Sequence, residues 1–311
     1  MSKKILITGA SGLIGKALVK TLSRRDYDLH ILTTQQSKIN HQKNPNIFYW
    51  NPLKKEIDVS CLKGIDTIIN LAGAPIAQRW SKSAKSRIMD SRTTSLEVLF
   101  EALKSQKKTI KHLISASAIG IYVDSKTQYY EEKDDKFDDN SFLRSVVKSW
   151  EDATIPFHSS ETKVSILRIG IVLDEQFGAL PKLITPIKNY VGSPLGSGQQ
   201  WQSWIHRDDL IQMFCHVMDH EIEGVYNAVS PNPVQQIEFT KTLAKILNKP
   251  LIFPKVPEFI LKFILGEMSA IVLESQRVCA NKIQSTGFKF QFHEISAALN
   301  HLLNKPLTEL P

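Results

Sequence analysis

The stretch Ile5-Leu6-Ile7-Thr8-Gly9-Ala10-Ser11-Gly12-Leu13-Ile14-Gly15-Lys16 decides how this chain is read. Lys4–Thr8 is a short apolar run rich in β-branched residues. Leu13–Arg24 then has helical spacing, with Leu13, Leu18, Val19 and Leu22 on one face. A strand, a glycine turn and a helix start, in that order, make a phosphate cradle. Gly9 permits the tight turn, Gly12 lets backbone come close to a phosphate, and Gly15 lets helix and strand pack. The helix N-terminus adds free N–H groups and a partial positive charge. The segment is therefore read as a dinucleotide site built from Gly9, Ser11, Gly12, Leu13 and Ile14 rather than as a plain βα turn.

Moving outward, strand signals at Leu29–Thr33, Ile47–Tyr49, Thr67–Leu71, His112–Ser117 and Val164–Ile171 are interleaved with helical patterns at Ser91–Leu103 and Ser141–Glu151. Such alternation implies right-handed βαβ crossovers and a parallel sheet covered on both faces. The expected fold class is α/β, a doubly wound parallel sheet of the NAD(P)-binding Rossmann type with a smaller mixed C-terminal substrate lobe. Tyr122–Asn140 is polar and acidic and reads as a surface loop, with Glu131–Asp139 solvated or a lid. Gly178–Trp204, rich in Gly and Pro, reads as an irregular segment over the C-terminal edge of the sheet. Asp208–Met218 reads as a helix capped by Asp208 or Asp209, and Val225–Asn227 as a short strand. Short helices are expected at Gln236–Leu247, Pro257–Leu265, Glu267–Leu273 and His293–Leu303. The dinucleotide domain is placed at residues 1–172 plus 206–229, and the substrate lobe at 173–205 plus 230–304.

Composition narrows the class. The chain has 311 residues, 42% hydrophobic and 23% charged, as a soluble globular enzyme would. No apolar run of about 18 residues is present, so no membrane span is expected. The apolar start is too short for a signal peptide and meets Gly9 at once. The net charge of +8 comes from scattered Lys and Arg, so a basic surface is favoured over nucleic-acid binding. Cys61, Cys215 and Cys279 are few and far apart, which fits a reducing cytoplasm and no metal site.

The Gly-x-x-Gly-x-x-Gly spacing resembles the short-chain dehydrogenase/reductase superfamily in its extended, epimerase-like branch. An NAD site usually carries an acid about 20 residues after the glycine turn. Leu29 to Lys55 contains no Asp or Glu, which favours NADP(H), with Thr34, Gln35 and Lys38 facing the 2′-phosphate. Asn70-Leu71-Ala72-Gly73 resembles the family's Asn-x-Ala-Gly motif, so Leu71, Ala72 and Gly73 are expected to close over the adenine side. Ala116 and Ile171 are further expected cofactor contacts. Ser115-Ala116-Ser117 ends a strand where the family keeps a catalytic serine, and Ser117 is the candidate. Trp204-Ile205-His206-Arg207-Asp208-Asp209 and Tyr226-Asn227-Ala228 resemble later family segments. Leu71–Ile76 with Arg79-Trp80, Ser91-Arg92, Ser115–Tyr122, Arg168–Leu173, Gly192–Asp209, Gly266-Glu267 and Ser275–Val278 extend the likeness over almost the whole length. Together they resemble the atypical group named "epimerase family protein", whose members are often described as nucleoside-diphosphate-sugar epimerases and sometimes as cell-division inhibitors. The resemblance implies an oxidoreductase or sugar-nucleotide epimerase acting on a small molecule.

One departure stands out. The superfamily's acid/base pair is Tyr-x-x-x-Lys on a helix. In Ser141–Glu151 those positions fall at Leu143 and Val147, and neither can move a proton. Lys148 is about 100° round the helix. Tyr122, just past the strand end, is the candidate general acid or a packing aromatic. Arg92 suits an anionic substrate group, or makes a surface ion pair. Gln199, Trp201 and Trp204 would roof the substrate cleft and stack a sugar or base, or staple the segment to the core. His206 reads as structural. The competing reading is a weakly catalytic NADP(H)-binding redox sensor; the oligomeric state is left open.

Overall fold

The computed structural model describes residues 3–134 and 141–304. They form two compact units. One contains residues 3–121, 141–168 and 211–226, the other residues 122–134, 169–210 and 227–304.

The first unit is organised on an eight-stranded sheet. Its strands and main helices are β1 (Lys4–Thr8), α1 (Leu13–Leu22), β2 (Asp28–Thr33), β3 (Asn46–Asn51), β4 (Glu56–Ile57), β5 (Thr67–Asn70), α2 (Lys82–Ser105), β6 (His112–Ala118), α3 (Phe142–Asp152), β7 (Lys163–Ile169), α4 (Arg207–Asp219) and β8 (Gly224–Ala228). The strand order is β8-β7-β6-β5-β1-β2-β3-β4. β1 pairs in parallel with both β2 and β5, β2 with β3, and β5 with β6, while β4 returns antiparallel to β3. Parallel strands buried on both faces need continuous apolar runs. Accordingly Ile5, Leu6, Ile7, Ile68, Ile69, Leu113 and Ile114 are fully buried.

The chain winds outward from β1 to β3 and then crosses back to place β5 on the other side of β1. The carboxyl ends of β1 and β5 therefore form a topological switch point, where open α/β sheets bind ligands.

Three expected elements differ. α2 begins nine residues before Ser91 because Ser81 caps it, its hydroxyl accepting from the Ala84 N–H at 3.2 Å. Its first turns carry mostly polar residues, so the periodic signal there is thin. The strand expected at Val164–Ile171 is two strands, broken at Gly170. A Cβ there would stand 2.3 Å from the Ser203 carbonyl oxygen, so only glycine allows the approach. α4 begins at Arg207, and Asp209 does not cap it. The Asp209 carboxylate instead accepts from the Gln291 and Phe292 N–H groups at 2.8 and 3.0 Å.

The second unit is built on short pairings. Ile171–Leu173 runs parallel to Trp204–His206, Trp201–Gln202 antiparallel to Val234–Gln235, and Arg277–Val278 parallel to Tyr129–Tyr130. Within the segment expected to be irregular, Leu180–Lys188 is a helix. Pro181 sits in its first turn, where the missing N–H does no harm, and Pro186 is tolerated near its end. Leu173, Leu180, Trp204, Phe239, Leu243, Phe292 and Leu299 form its core. Among the described residues no helix is long and apolar enough to cross a membrane. Cys61, Cys215 and Cys279 are free and buried. Burial pushes the Cys61 thiol up to about 12 and the Cys215 thiol to about 11.

Candidate functional site

The glycine turn is fixed by what presses on it. Gly9 has φ +66°, and a Cβ there would lie 2.4 Å from the Leu71 carbonyl oxygen and 2.6 Å from its carbon. A Cβ on Gly15 would lie 2.3 Å from the Gly9 oxygen and 2.6 Å from Ala10 Cα. Both positions exclude every side chain. Thr8 ties the two strand ends together. Its hydroxyl donates to Asn70 Oδ1 at 2.7 Å and accepts the Leu71 and Ala72 N–H groups at 3.1 Å each. Sequence reasoning did not single out this knot. The visible signal was a threonine closing an apolar strand immediately before the first glycine.

α1 opens at Gly12 with no side-chain cap and no acid in its first turn. Helix geometry leaves the first N–H groups of Leu13 and Ile14 without an intrahelical acceptor. Ser11 is exposed beside them. At the end of β2, Thr34, Gln35 and Lys38 are exposed, with Lys38 in a 3-10 turn over Gln36–Lys38. Asp28, at the opposite end of β2, is paired with Lys4 at 2.9 Å. Leu71 and Gly73 follow β5, and Ala116 is buried in β6. Ile171 is half-buried in the second unit. The cradle thus has uncapped donors suited to a pyrophosphate, and the segment from Leu29 to Lys55 beside it carries no acid.

Ser117 is engaged elsewhere. It is buried and donates to Glu151 Oε1 at 2.6 Å. The same carboxylate accepts Arg168 Nε at 2.9 Å and an Arg168 Nη at 2.8 Å, a bidentate pair with side chains 14% and 3% exposed. The serine proton is committed to this buried cluster. On α3, Leu143 and Val147 stand 3.7 and 3.8 Å from where a Gly120 Cβ would be, so they pack on the turn after β6. Lys148 points away and pairs with Asp152 at 2.7 Å.

Arg92 does not open its helix but lies well inside α2. Its guanidinium sits against Gly73, whose Cβ would be 3.2 Å from Arg92 Cζ. It lies 5.0 Å from the Trp150 ring and donates to the Ile88 carbonyl at 2.8 Å. No carboxylate pairs with it among the described residues, so the surface ion pair weighed above is not formed. Burial brings its pKa down to about 10. A desolvated cation without a counter-charge, beside the Leu71–Gly73 loop, can receive an anion.

The second unit places its expected residues unevenly. Tyr122 is fully buried, stacks on Tyr130 and donates to Asn227 Oδ1 at 2.6 Å. Burial corrects the general-acid expectation: Tyr122 is a packing aromatic. Trp204 is likewise fully buried in the core, with its Nε1 donating to the Asn232 carbonyl at 3.0 Å, and so cannot stack a ligand. Gln199 is exposed. Trp201 is half-buried, its Nε1 donating to the Lys126 carbonyl at 3.0 Å. His206 is buried and stacked on Phe292 at 4.0 Å. Its Nδ1 accepts the Asp208 N–H at 3.0 Å and its Nε2 faces His301 Nδ1 at 3.1 Å. His206, Asp208 and His301 are close enough to share an ion. The two ring nitrogens of His206 are already engaged, however, which reads as a structural pair. Asp135–Asp139 of the acidic stretch lies outside the described residues.

The NAD dependent epimerase/dehydratase family matches residues 5–228, and a domain of unknown function (DUF1731) matches 256–302. An epimerase family protein of Staphylococcus aureus (strain MRSA252) is 39% identical over 306 residues, 97% of this chain and 100% of the relative. A human epimerase family protein crystallised with NADPH aligns at TM-score 0.86 and 26% identity, covering 97% of this chain and 100% of that one. A nucleoside-diphosphate sugar epimerase from Corynebacterium glutamicum aligns at TM-score 0.76 and 29% identity, covering 99% of this chain and 60% of that one.

Proposed function

Since the chain belongs to the NAD-dependent epimerase/dehydratase family, we propose that it binds NADP(H) in the glycine cradle and acts as an oxidoreductase or sugar-nucleotide epimerase on an anionic small molecule. The observation that carries this reading is the turn itself. Gly9 and Gly15 are packed so closely that no side chain fits, and the α1 N-terminus they present has neither cap nor acid. Gly9, Ser11, Gly12, Leu13 and Ile14 would hold the pyrophosphate. Thr34, Gln35 and Lys38 would meet the 2′-phosphate, as the human relative with NADPH suggests. Leu71, Ala72, Gly73 and Ala116 would line the rest of the cofactor. On this division residues 1–172 plus 206–229 carry the cofactor, and 173–205 plus 230–304 the substrate. Three free thiols suit a reducing, cytoplasmic compartment.

When bound, the nicotinamide supplies hydride transfer. This chain's own residues shape what surrounds it. Leu143 and Val147 offer no proton donor, so the proton must come from water, from the substrate or from another side chain. Arg92 would orient a substrate carboxylate or phosphate from beside Gly73, drawing on a charge already desolvated. The test is a panel of sugar nucleotides and carbonyl compounds offered with C4-deuterated NADPH. Label transfer to any of them supports the enzyme reading.

The packing of Leu143 and Val147 on the Gly120 turn, with Ser117 and Tyr122 both internally bonded, favours a second reading. A protein that binds NADP(H) without turning it over would serve as a redox sensor. It requires a partner whose binding differs between NADP and NADPH, and equal binding with either form counts against it.

A further inference from the structure

Among the described residues Arg277 is a partly buried cation without a counter-ion. Its guanidinium carbon lies 4.3 Å from the Trp201 ring centre and 5.0 Å from that of Tyr129. Its Nε–H is buried and makes no hydrogen bond, and no carboxylate pairs with it among the described residues. Other arginines are treated differently. Arg168 grips Glu151, Arg207 meets Asp174 and Asp208, and Arg25 meets Asp219. Leaving a charged donor buried and unmatched is unfavourable, so the fold must hold Arg277 in place by other means.

It does so with a stitched frame. Ser275 N–H donates to Asp124 Oδ1 at 2.8 Å, its hydroxyl to the Ser125 carbonyl at 2.8 Å, and Ser125 N–H to the Ser275 carbonyl at 2.9 Å. Trp201 N–H donates to Ser275 Oγ at 3.0 Å. On the other side, Ser203 Oγ donates to the Gln276 carbonyl at 2.8 Å and accepts the Val278 N–H at 3.0 Å. Arg277 pairs in register with Tyr129, and the Trp201 indole is pinned by its bond to the Lys126 carbonyl. Both rings are thereby set against the guanidinium before any ligand arrives. Ring faces satisfy the charge by cation–π attraction. They cannot accept the in-plane N–H groups, and the Nε–H is left without a partner. An edge with donors and no acceptor matches a carboxylate or phosphate, which two parallel N–H groups bind bidentately.

We propose that Arg277, clamped by Trp201 and Tyr129, is an oxyanion subsite of the second unit that binds a phosphate or carboxylate group of a small-molecule substrate. This rests on the reading of that unit as the substrate lobe and names the chemistry it selects. It also revises the part given to Trp201, which holds an arginine rather than stacking a sugar or base.

The test uses the whole protein with its cradle saturated by NADPH, whose binding is followed separately by its fluorescence. Arginines are modified with phenylglyoxal and Arg277 is followed by peptide mass mapping, with pyrophosphate, UDP, malonate or citrate as protecting probes. The expected result is modification of Arg277 without probe, slowed about tenfold or more by one probe class. Protection by pyrophosphate and UDP assigns a phosphate, and protection by malonate and citrate a carboxylate. An Arg277 that resists modification without probe, or that no probe protects, overturns the proposal. Calorimetry of the protecting probe adds a second readout. Arg277→Gln should weaken binding about tenfold to a hundredfold, and Arg277→Lys, which keeps charge but loses the fork, by less. Unchanged binding by both folded variants also overturns it. If NADPH itself fails to bind, the cofactor reading fails, while peptide-resolved protection at Arg277 still decides this one.

Discussion

Replacing Glu151 with alanine is the sharpest probe of the region where chemistry was expected. Its carboxylate accepts three hydrogen bonds, two from Arg168 and one from Ser117, and both ion-pair side chains are nearly out of water. Removing one partner of such a pair leaves a buried charge uncompensated, about 3–5 kcal/mol. Glu151→Ala should therefore lose about 3–5 kcal/mol of unfolding free energy. The double change Glu151→Met with Arg168→Met should lose far less than the sum of the single changes, because no orphaned charge remains. Ser117→Ala removes one hydrogen bond to a charged acceptor, about 1.5–3 kcal/mol, and leaves the Arg168 pair in place. Urea unfolding followed by circular dichroism and tryptophan fluorescence reads the parent protein, these variants and the two single Met variants, Trp150 lying next to Glu151 in α3. A Ser117→Ala protein that keeps its stability within about 0.5 kcal/mol but loses turnover would refute the reasoning. Such a hydroxyl would be serving a substrate and not Glu151.

Two further outcomes follow from the same geometry. Gly9→Ala meets the Leu71 backbone at 2.4 Å and must also adopt a left-handed φ of +66°; the combined strain is about 2–5 kcal/mol. NADPH affinity should fall at least tenfold in fluorescence titration, and a stable, fully binding variant would contradict it. His112 is buried in β6, its Nε2 bonded to Ser165 Oγ at 2.6 Å, and burial lowers its pKa to about 4. The folded state then stays neutral at His112 while the unfolded chain protonates near pH 6.5. This contribution is fully present above about pH 6.5 and is lost as pH falls towards 4, on the order of 3 kcal/mol in all. The His112→Asn protein should show a shallower loss of stability over that window. Equal slopes in the two proteins would rule out His112 as the source.

How much could be read beforehand depends on what each residue answers to. The β1–turn–α1 unit was legible because strand burial, glycine spacing and helix periodicity all act within a dozen residues. The parallel sheet was legible from the alternation of strand and helix signals, whereas the order of its strands came only from the structure. The short pairings of Tyr129–Tyr130 with Arg277–Val278 were not legible, since two-residue strands carry no period and their partners lie far apart in sequence. The helix Leu180–Lys188 hid behind Pro181 and Pro186, which read as breakers although one sits in the first turn and the other near the end. Among site residues, those whose role is backbone clearance, Gly9 and Gly15, were found by type. Ser117, Tyr122 and Trp204 were drawn by type into chemistry. Their actual partners, Glu151, Asn227 and Asn232, come from other elements, and sequence spacing does not show which hydroxyl or ring faces inward. Arg92 stood out as a cation, but only the structure shows that no acid meets it among the described residues.

The central claim is that the glycine cradle, with no acid between Leu29 and Lys55, binds NADP(H). Fluorescence titration of the purified chain with NADPH and NADH side by side tests it most directly. Saturable binding of NADPH, at least tenfold tighter than NADH and weakened by Lys38→Ala, is the expected result. Binding of neither cofactor, or a clear preference for NADH, would contradict it.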